Sequence, residues 1–343
     1  ARSEGLKVAL SNISDAKNLL AVGESGLSRI NDIIVQMRNK TMQGSSDTLG
    51  LAERNALLQQ MRAYASQIDD IVAQTDWNGN KLIDGSYDTG TGTLTFQTGA
   101  SAADTTTLTG LKNLKATDPN GLKLARTETA ANGNIVIAGA TSAVSGISVT
   151  GTTSLSSGIY QIKTFVNSGA VDVQLLDAGG AVLESTTGVA LNSTFAVAFT
   201  SNLTATFAAV AATDAARTNA LMFTRNGDNY ITKDGNTITS GVNSNALTTA
   251  SSFNSYMSYI EGKLNTVSSQ LSLVGAMSGR LTFKEEQITA AQINIEASYS
   301  RIMNANMAEE QVNASKFTIL QQTATAMLAQ ANQAPQFLLS LFR

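Results

Sequence analysis

Between Phe253 and Ile302 one register of a heptad is apolar at every step: Phe253, Ile260, Val267, Val274, Leu281, Ile288, Ile295 and Ile302. A spacing of seven held this long describes one seam of a helix that winds slowly against partner helices. No proline interrupts the run. At about 1.5 Å per residue such a helix extends roughly 75 Å, further than a compact domain needs. Part of this chain is therefore a rod, and a rod suggests assembly before catalysis.

The front of the chain answers in kind. Leu6, Ile13, Leu20, Leu27 and Ile34 fall seven apart, with Ala9, Ala16, Gly23, Ile30 and Met37 in the companion register. Small residues beside leucine-type ones let two backbones approach closely. The turn-forming stretch Gln43, Gly44, Ser45, Ser46 and Asp47 stops the first helix. A second helix is predicted over 48–74, with Leu51, Leu58, Ala65 and Val72 in one register and Met61 and Ile68 in another. Three amphipathic helices, two from the front and one from the back, make a bundle in which both ends of the sequence run side by side. An ordinary helical core would carry the same periodicity. The opening Ala1-Arg2-Ser3-Glu4-Gly5 has no initiator methionine and runs straight into the heptads, so an N-terminally truncated chain is expected.

Composition excludes several function classes. The chain has 343 residues, net charge −3 and only 14% charged residues, which indicates neither a nucleic-acid surface nor a basic membrane patch. Cysteine and histidine are both absent. Disulfides, thiolate and imidazole metal sites and the commonest general base go with them. No apolar run reaches the roughly 18 residues of a membrane span, and no signal-peptide pattern opens the chain. No cofactor, metal or enzymatic activity is expected.

From Trp77 the period changes. Asn78-Gly79 is a turn signal, and 93–98 alternates like a strand. Residues 113–222 are dominated by Thr, Ser, Gly, Ala and Val, with strands predicted at 134–138, 159–165, 171–176, 181–185 and 194–200. Gly179-Gly180 sits where a hairpin needs positive φ. A last hairpin is predicted between 230–232 and 237–239. The fold class is therefore α+β: a long antiparallel, coiled-coil-like helical bundle built from both termini, with an inserted all-β outer domain.

The last segment reads Ile302-Met303-Asn304-Ala305-Asn306-Met307-Ala308-Glu309-Glu310, then Ile319-Leu320-Gln321-Gln322-Thr323-Ala324, then Gln330-Ala331-Asn332-Gln333 and Leu338-Leu339-Ser340-Leu341. It closely resembles the C-terminal signature of bacterial flagellins. Gln74-Thr75-Asp76-Trp77-Asn78-Gly79-Asn80-Lys81-Leu82 resembles the family's turn out of its second helix, and Phe96-Gln97-Thr98-Gly99-Ala100 the strand after it. Leu273-Val274-Gly275-Ala276-Met277 and Arg280-Leu281 match another family stretch, although Ser278-Gly279 replaces its usual Gln-Asn. The resemblance covers roughly the first 110 and last 95 residues.

The resemblance implies a layout: rod-domain helices and a β-hairpin over 1–112, a variable outer domain over 113–222, a rod-domain hairpin and long helix over 223–303, and half of an inner-tube domain over 304–343. Asn304-Ala305-Asn306 would be the joint between rod and inner helices. It implies a self-assembling filament subunit, exported without a cleaved signal peptide, and partnered by an export chaperone, by filament cap and hook-junction proteins and by a surface glycan. Apolar tail residues Ile319, Leu320, Met327, Leu328, Leu338, Leu339, Leu341 and Phe342 suit assembly or chaperone binding, since one copy cannot easily bury them all. The tail is expected to be disordered until it assembles, with Pro335 ending its helix.

Flagellins of one large group are bound by an innate-immune Toll-like receptor through the first helix. Here Arg38 matches a family arginine, but Gln36 replaces another arginine, Asn39 a glutamate and Lys40 a leucine, and Gln60 on the second helix replaces a glutamate. Lost charges and a cation at an apolar position weaken such a contact. The competing expectation is a flagellin-like surface adhesin or polysaccharide receptor that uses the insert. Such a site needs aromatic platforms, and the candidates are Tyr160, Phe165, Phe195, Phe199 and Phe207.

Overall fold

Three helices carry the heptads: α1 (Arg2–Gly44), α2 (Leu51–Gln74) and α3 (Ala250–Leu341). The computed structural model describes every residue except 1, 131–132, 138–143, 150, 152, 213, 237–240, 243–245 and 342–343, and describes 134–137, 241–242, 305 and 334–341 by backbone alone. α2 begins at Leu51, the first residue of its apolar register, rather than at the expected 48. The Ser46 and Thr48 hydroxyls bond to each other at 2.7 Å in the preceding turn, and extended Gly50 becomes the N-cap. α3 runs without a break through Asn304, Ala305 and Asn306, and its backbone stays helical past Pro335. The expected joint and the expected stop are both corrected: proline withholds a single N–H, a local cost that a long helix absorbs.

Residues 15–96 and 106–280 form one compact unit. Within it Leu20, Leu27 and Ile34 of α1, Leu58 and Ile68 of α2, and Ile260, Val267 and Val274 of α3 are buried. α1 packs antiparallel to both α2 and α3. Thr75, which caps the end of α2, lies directly over Gly26 of α1, while Arg54 near its start donates to the carbonyls of Gly44 (3.2 Å) and Ser46 (2.9 Å). The Phe253 ring of α3 sits against Gly44, where any β-carbon would overlap it. Glycine is required there because a helix end and an aromatic ring occupy nearly the same place.

The strands follow in chain order. β1 (Asp76–Trp77) and β2 (Asn80–Lys81) form a hairpin whose turn, Asn78-Gly79, has φ of 50° and 83°. Next come β3 (Asp84–Tyr87), β4 (Leu94–Gln97), β5 (Thr105–Leu108) and β6 (Leu111–Asn113), which pair β3 with β6 and β4 with β5. β7 (Arg126–Thr127), β8 (Asn134–Ile137), β9 (Val144–Val149), β10 (Gly158–Asn167), β11 (Ala170–Asp177) and β12 (Val182–Val189) lead into the insert. β13 (Phe195–Ala198), β14 (Leu203–Phe207), β15 (Arg217–Thr224), β16 (Asn229–Tyr230) and β17 (Gly241–Val242) complete it.

Six strands in the order β12-β11-β10-β15-β8-β17 face three in the order β13-β14-β9. One core joins the two sheets, with Ile162, Val173, Leu175 and Leu221 from the larger and Ile147, Leu203, Ala205 and Phe207 from the smaller. Gly180, at φ 89°, turns the chain between β11 and β12 as its sequence predicts. Three strands, β9, β14 and β15, are missing from the expected set: Val-Ser-Gly-Ile-Ser-Val of β9 breaks strict alternation, whereas Leu203, Ala205 and Phe207 of β14 alternate with threonines in a readable strand pattern. The second strand of the last expected hairpin, 237–239, lies outside the described residues; in its first strand Tyr230 pairs with Arg126 of β7.

Residues 1–14, 97–105 and 281–343 form the second unit. Leu6 and Ile13 of α1 and Leu281 and Ile288 of α3 are buried in it. Gly5 lets the Ala100 loop close onto α1, and the Gln97 side-chain amide donates to the carbonyls of Gly99, Ser101 and Asp104. The seam then runs out. Ile295 is half-buried, and Ile302 is 62% exposed, contrary to its expected place in the bundle. Arg2 and Leu6, at the start of α1, line the same hollow as Ile295, and every described side chain from Glu296 to Gln333 is exposed. A heptad position is buried only where a partner helix lies beside it.

Phe253→Ala is expected to destabilise the chain by about 3–5 kcal/mol, against less than about 0.5 kcal/mol for Ile302→Ala, although both belong to one register. Urea denaturation midpoints of the two variants measure the difference.

Candidate functional site

The most conspicuous surface is the distal part of α3. Phe317 is 68%, Met327 67% and Leu328 67% exposed, and Ile302, Val312, Ile319 and Leu320 are exposed beside them. Val312, Ile319 and Leu320 line a shallow apolar hollow with Gln311, Ser315 and Lys316. The tail is helical here: Ala, Gln, Met and Leu all favour helix, and the threonine hydroxyls bond back to the preceding turn, as from Thr323 to the Ile319 carbonyl. The side chains of Leu338, Leu339 and Leu341, and the whole of Phe342, lie outside the described residues. A helix exposed on every face has only its own hydrogen bonds to hold it.

A second surface runs along α1 and α2. Gln36, Asn39 and Gln60 are exposed, and Lys40 is half-buried. Arg38 is tied to α3 by an ion pair with Glu261 at 3.0 Å, both partners more than a third exposed. Exposed pairs of this kind are worth about 0–1 kcal/mol, so Arg38 can be recruited by another partner at little cost. Alternation in the strands disposes of the aromatics. Phe199 and Phe207 are in the sandwich core, Phe195 stacks on Phe207 at 4.8 Å, and Phe165 and Tyr160 are half-buried. They form no open platform.

A third feature has no counterpart among the expected residues. Where α2 meets the β-sandwich, a polar cavity of about 650 Å³ is lined by Gln59, Arg62, Ser66, Ser157, Arg225 and Asp228, among others. Arg62 is 7% exposed, and its Nε and Nη2 have no hydrogen-bond partner among the described residues. Burial pulls its guanidinium down to about 10, with Asp228 pushing the other way, and it remains a cation at neutral pH. The sequence did hold a signal. Arg62 falls in the apolar face marked by Leu58, Met61 and Ala65, where a charge is costly.

Among the described residues no three His, Cys, Asp or Glu side chains gather to hold a metal ion, and no helix is long and apolar enough to cross a membrane. The arrangement is that of interlocked helices with an unburied apolar extension. Residues 1–88 match the bacterial flagellin N-terminal helical region, and residues 257–342 match the bacterial flagellin C-terminal helical region, together about half of the chain. The chain belongs to the bacterial flagellins. It is a structural subunit of the flagellar filament, and so an extracellular protein of a structural family.

Flagellin relatives match it over nearly its whole length. Polar flagellin A of Vibrio parahaemolyticus is 26% identical over 99% of this chain and 85% of its own. Flagellin B of Vibrio cholerae is 24% identical over the same shares. Among solved structures, a Bacillus cereus flagellin is 14% identical, covering 84% of this chain and 94% of that one at a TM-score of 0.34. The flagellar junction protein FlgL of Legionella pneumophila is likewise 14% identical, covering 84% and 96% at a TM-score of 0.30. The family assignment rests on the two terminal matches alone.

Amides of residues 318–330 in the soluble flagellin monomer are expected to exchange faster than those of 253–288 by about two orders of magnitude or more, since only the latter must open a buried seam. Hydrogen exchange followed by mass spectrometry measures it, and equal protection in the two segments would contradict the exposed-helix picture.

Proposed function

We propose that the filament contacts of this flagellin are made chiefly by the distal part of α3, through Ile319, Leu320, Met327, Leu328 and the apolar residues Leu338, Leu339, Leu341 and Phe342. The observation that supports this is the run of exposed apolar side chains beyond Ile295. Burying four such side chains yields roughly 6–12 kcal/mol, while bringing two subunits together costs about 4–15 kcal/mol. One contact of this size is marginal. A helical array, in which each copy repeats it with several neighbours, is not. Filament cap and hook-junction proteins would meet the same surface at the two ends of the filament.

The same strip needs cover before export, which is the role proposed for a chaperone with an apolar groove. The layout 1–112, 113–222, 223–303 and 304–343 is retained as a proposal. In it the sandwich faces outward, where its Thr- and Ser-rich strands would meet water or a surface glycan. The first-helix patch is proposed to bind the innate-immune receptor weakly. Gln36, Asn39 and Gln60 lack the family's charges, Lys40 puts a cation where the family has a leucine, and Arg38 is shared with Glu261.

Met327→Glu and Leu328→Glu together are expected to abolish filaments in cells that carry this as their only flagellin, while the monomer's melting temperature stays unchanged. Electron microscopy and thermal melting read the two outcomes, and normal filaments would refute the proposal. In a reporter-cell assay the chain is expected to activate the receptor at least about tenfold less potently than a flagellin with the family's charges, the loss that about 1.4 kcal/mol of contact energy produces. Equal potency would overturn that reading.

A further inference from the structure

The chain has nine methionines, and the fold divides them sharply. Met37, Met61, Met222 and Met277 are buried, and Met257 is half-buried. Met42, Met303, Met307 and Met327 are 49%, 44%, 64% and 67% exposed. Three of these four lie on the distal part of α3, in the run of apolar side chains that the described residues leave uncovered. Met303 and Met307, one turn apart, share a face and line a shallow hollow with Glu310 and Asn313. Met327 stands beside Leu328. A leucine would fill an apolar contact as well as a methionine does, but it carries no thioether for a peroxide to attack.

We propose that Met303, Met307 and Met327 are oxidation sites, and that converting them to sulfoxides keeps a free subunit out of the filament. The inference rests on the reading that distal α3 carries the filament contacts. The oxidant is hydrogen peroxide. A lone pair on the methionine sulfur attacks one peroxide oxygen, and the O–O bond breaks as the S–O bond forms. The departing hydroxide takes the proton from the transferred oxygen and leaves as water, so sulfur gives up the two electrons that reduce the peroxide. Exposed thioethers react without any opening of the fold, whereas buried ones must wait for it. A sulfoxide is polar, and an apolar contact offers its oxygen no donor, so burying it is unfavourable where burying the thioether was favourable. A neighbouring copy that covers these side chains also shields them. The free subunit is therefore the sensitive form.

The test uses subunits released from the filaments of cells that make only this flagellin, treated with hydrogen peroxide. By peptide mass spectrometry Met303, Met307 and Met327 are expected to oxidise at least about tenfold faster than Met37, Met61 and Met222, with the melting temperature unchanged. Elongation of filament seeds by the treated subunits should fall at least about tenfold, and a methionine sulfoxide reductase should restore it. A variant carrying Met303→Leu, Met307→Leu and Met327→Leu should elongate seeds normally before and after peroxide. Met42→Leu alone should leave the sensitivity as it is in the wild type. Equal oxidation of exposed and buried methionines, or undiminished elongation by subunits fully oxidised at the three sites, would overturn the proposal. So would loss of elongation in the peroxide-treated leucine variant. The pair Met327→Glu and Leu328→Glu separates the two readings: if it blocks filaments while fully oxidised subunits still assemble, the contact surface stands and its sensitivity to oxidation does not.

Discussion

The antiparallel packing of α1 on α3 is the contact on which the rest of the molecule depends. It joins the two ends of the sequence, so whatever lies between must leave the bundle and return to it. Its closeness is set by particular side chains: Phe253 can lie across the end of α1 only because Gly44 has no β-carbon, and Thr75 can close over α1 only at Gly26. Each substitution there would separate backbones rather than merely trim a contact. The seam is correspondingly dry, with Ile13, Leu27, Ile34, Ile260, Val267 and Leu281 all at or near zero exposure.

The join between α2 and the sandwich is of a different kind. It is made from side chains that reach backbone groups: Asn55 accepts from the Ile159 amide, and Gln59 donates to the Ser157 carbonyl. Hydrogen bonds of this sort contribute about 0.5–1.5 kcal/mol each and are directional. They orient the insert without demanding a particular apolar sequence from it. That division suits a chain whose middle segment has its own core, because the sandwich can change its strands while the helices keep their seam.

The apolar extension of α3 follows from the same rule that governs the bundle. Apolar spacing states only that a helix has a sticky face. It does not state which molecule supplies the other face. Up to Ile288 the other face lies among the described residues, and beyond Ile295 the described residues leave it open. The bundle uses the first situation, and the proposed filament contacts would use the second.

By itself the sequence determined the three helices, the change of period at Trp77, the turns at Asn78-Gly79 and Gly180, and the family. All of these are written in local spacing and in residues with distinctive backbone preferences. Only the tertiary structure decided that Ile302 is exposed while Ile288 is buried, since the two occupy the same register and differ only in what lies beside them. It decided that the helix continues through Asn304 and Pro335, because a local preference yields to the bonded turns on either side. It placed β9 in a sheet, where a strand whose alternation is broken at Gly146 becomes legible only once β14 pairs with it. It also left two N–H groups of Arg62 buried without a partner among the described residues, because burial and hydrogen-bond satisfaction belong to surroundings drawn from distant parts of the chain.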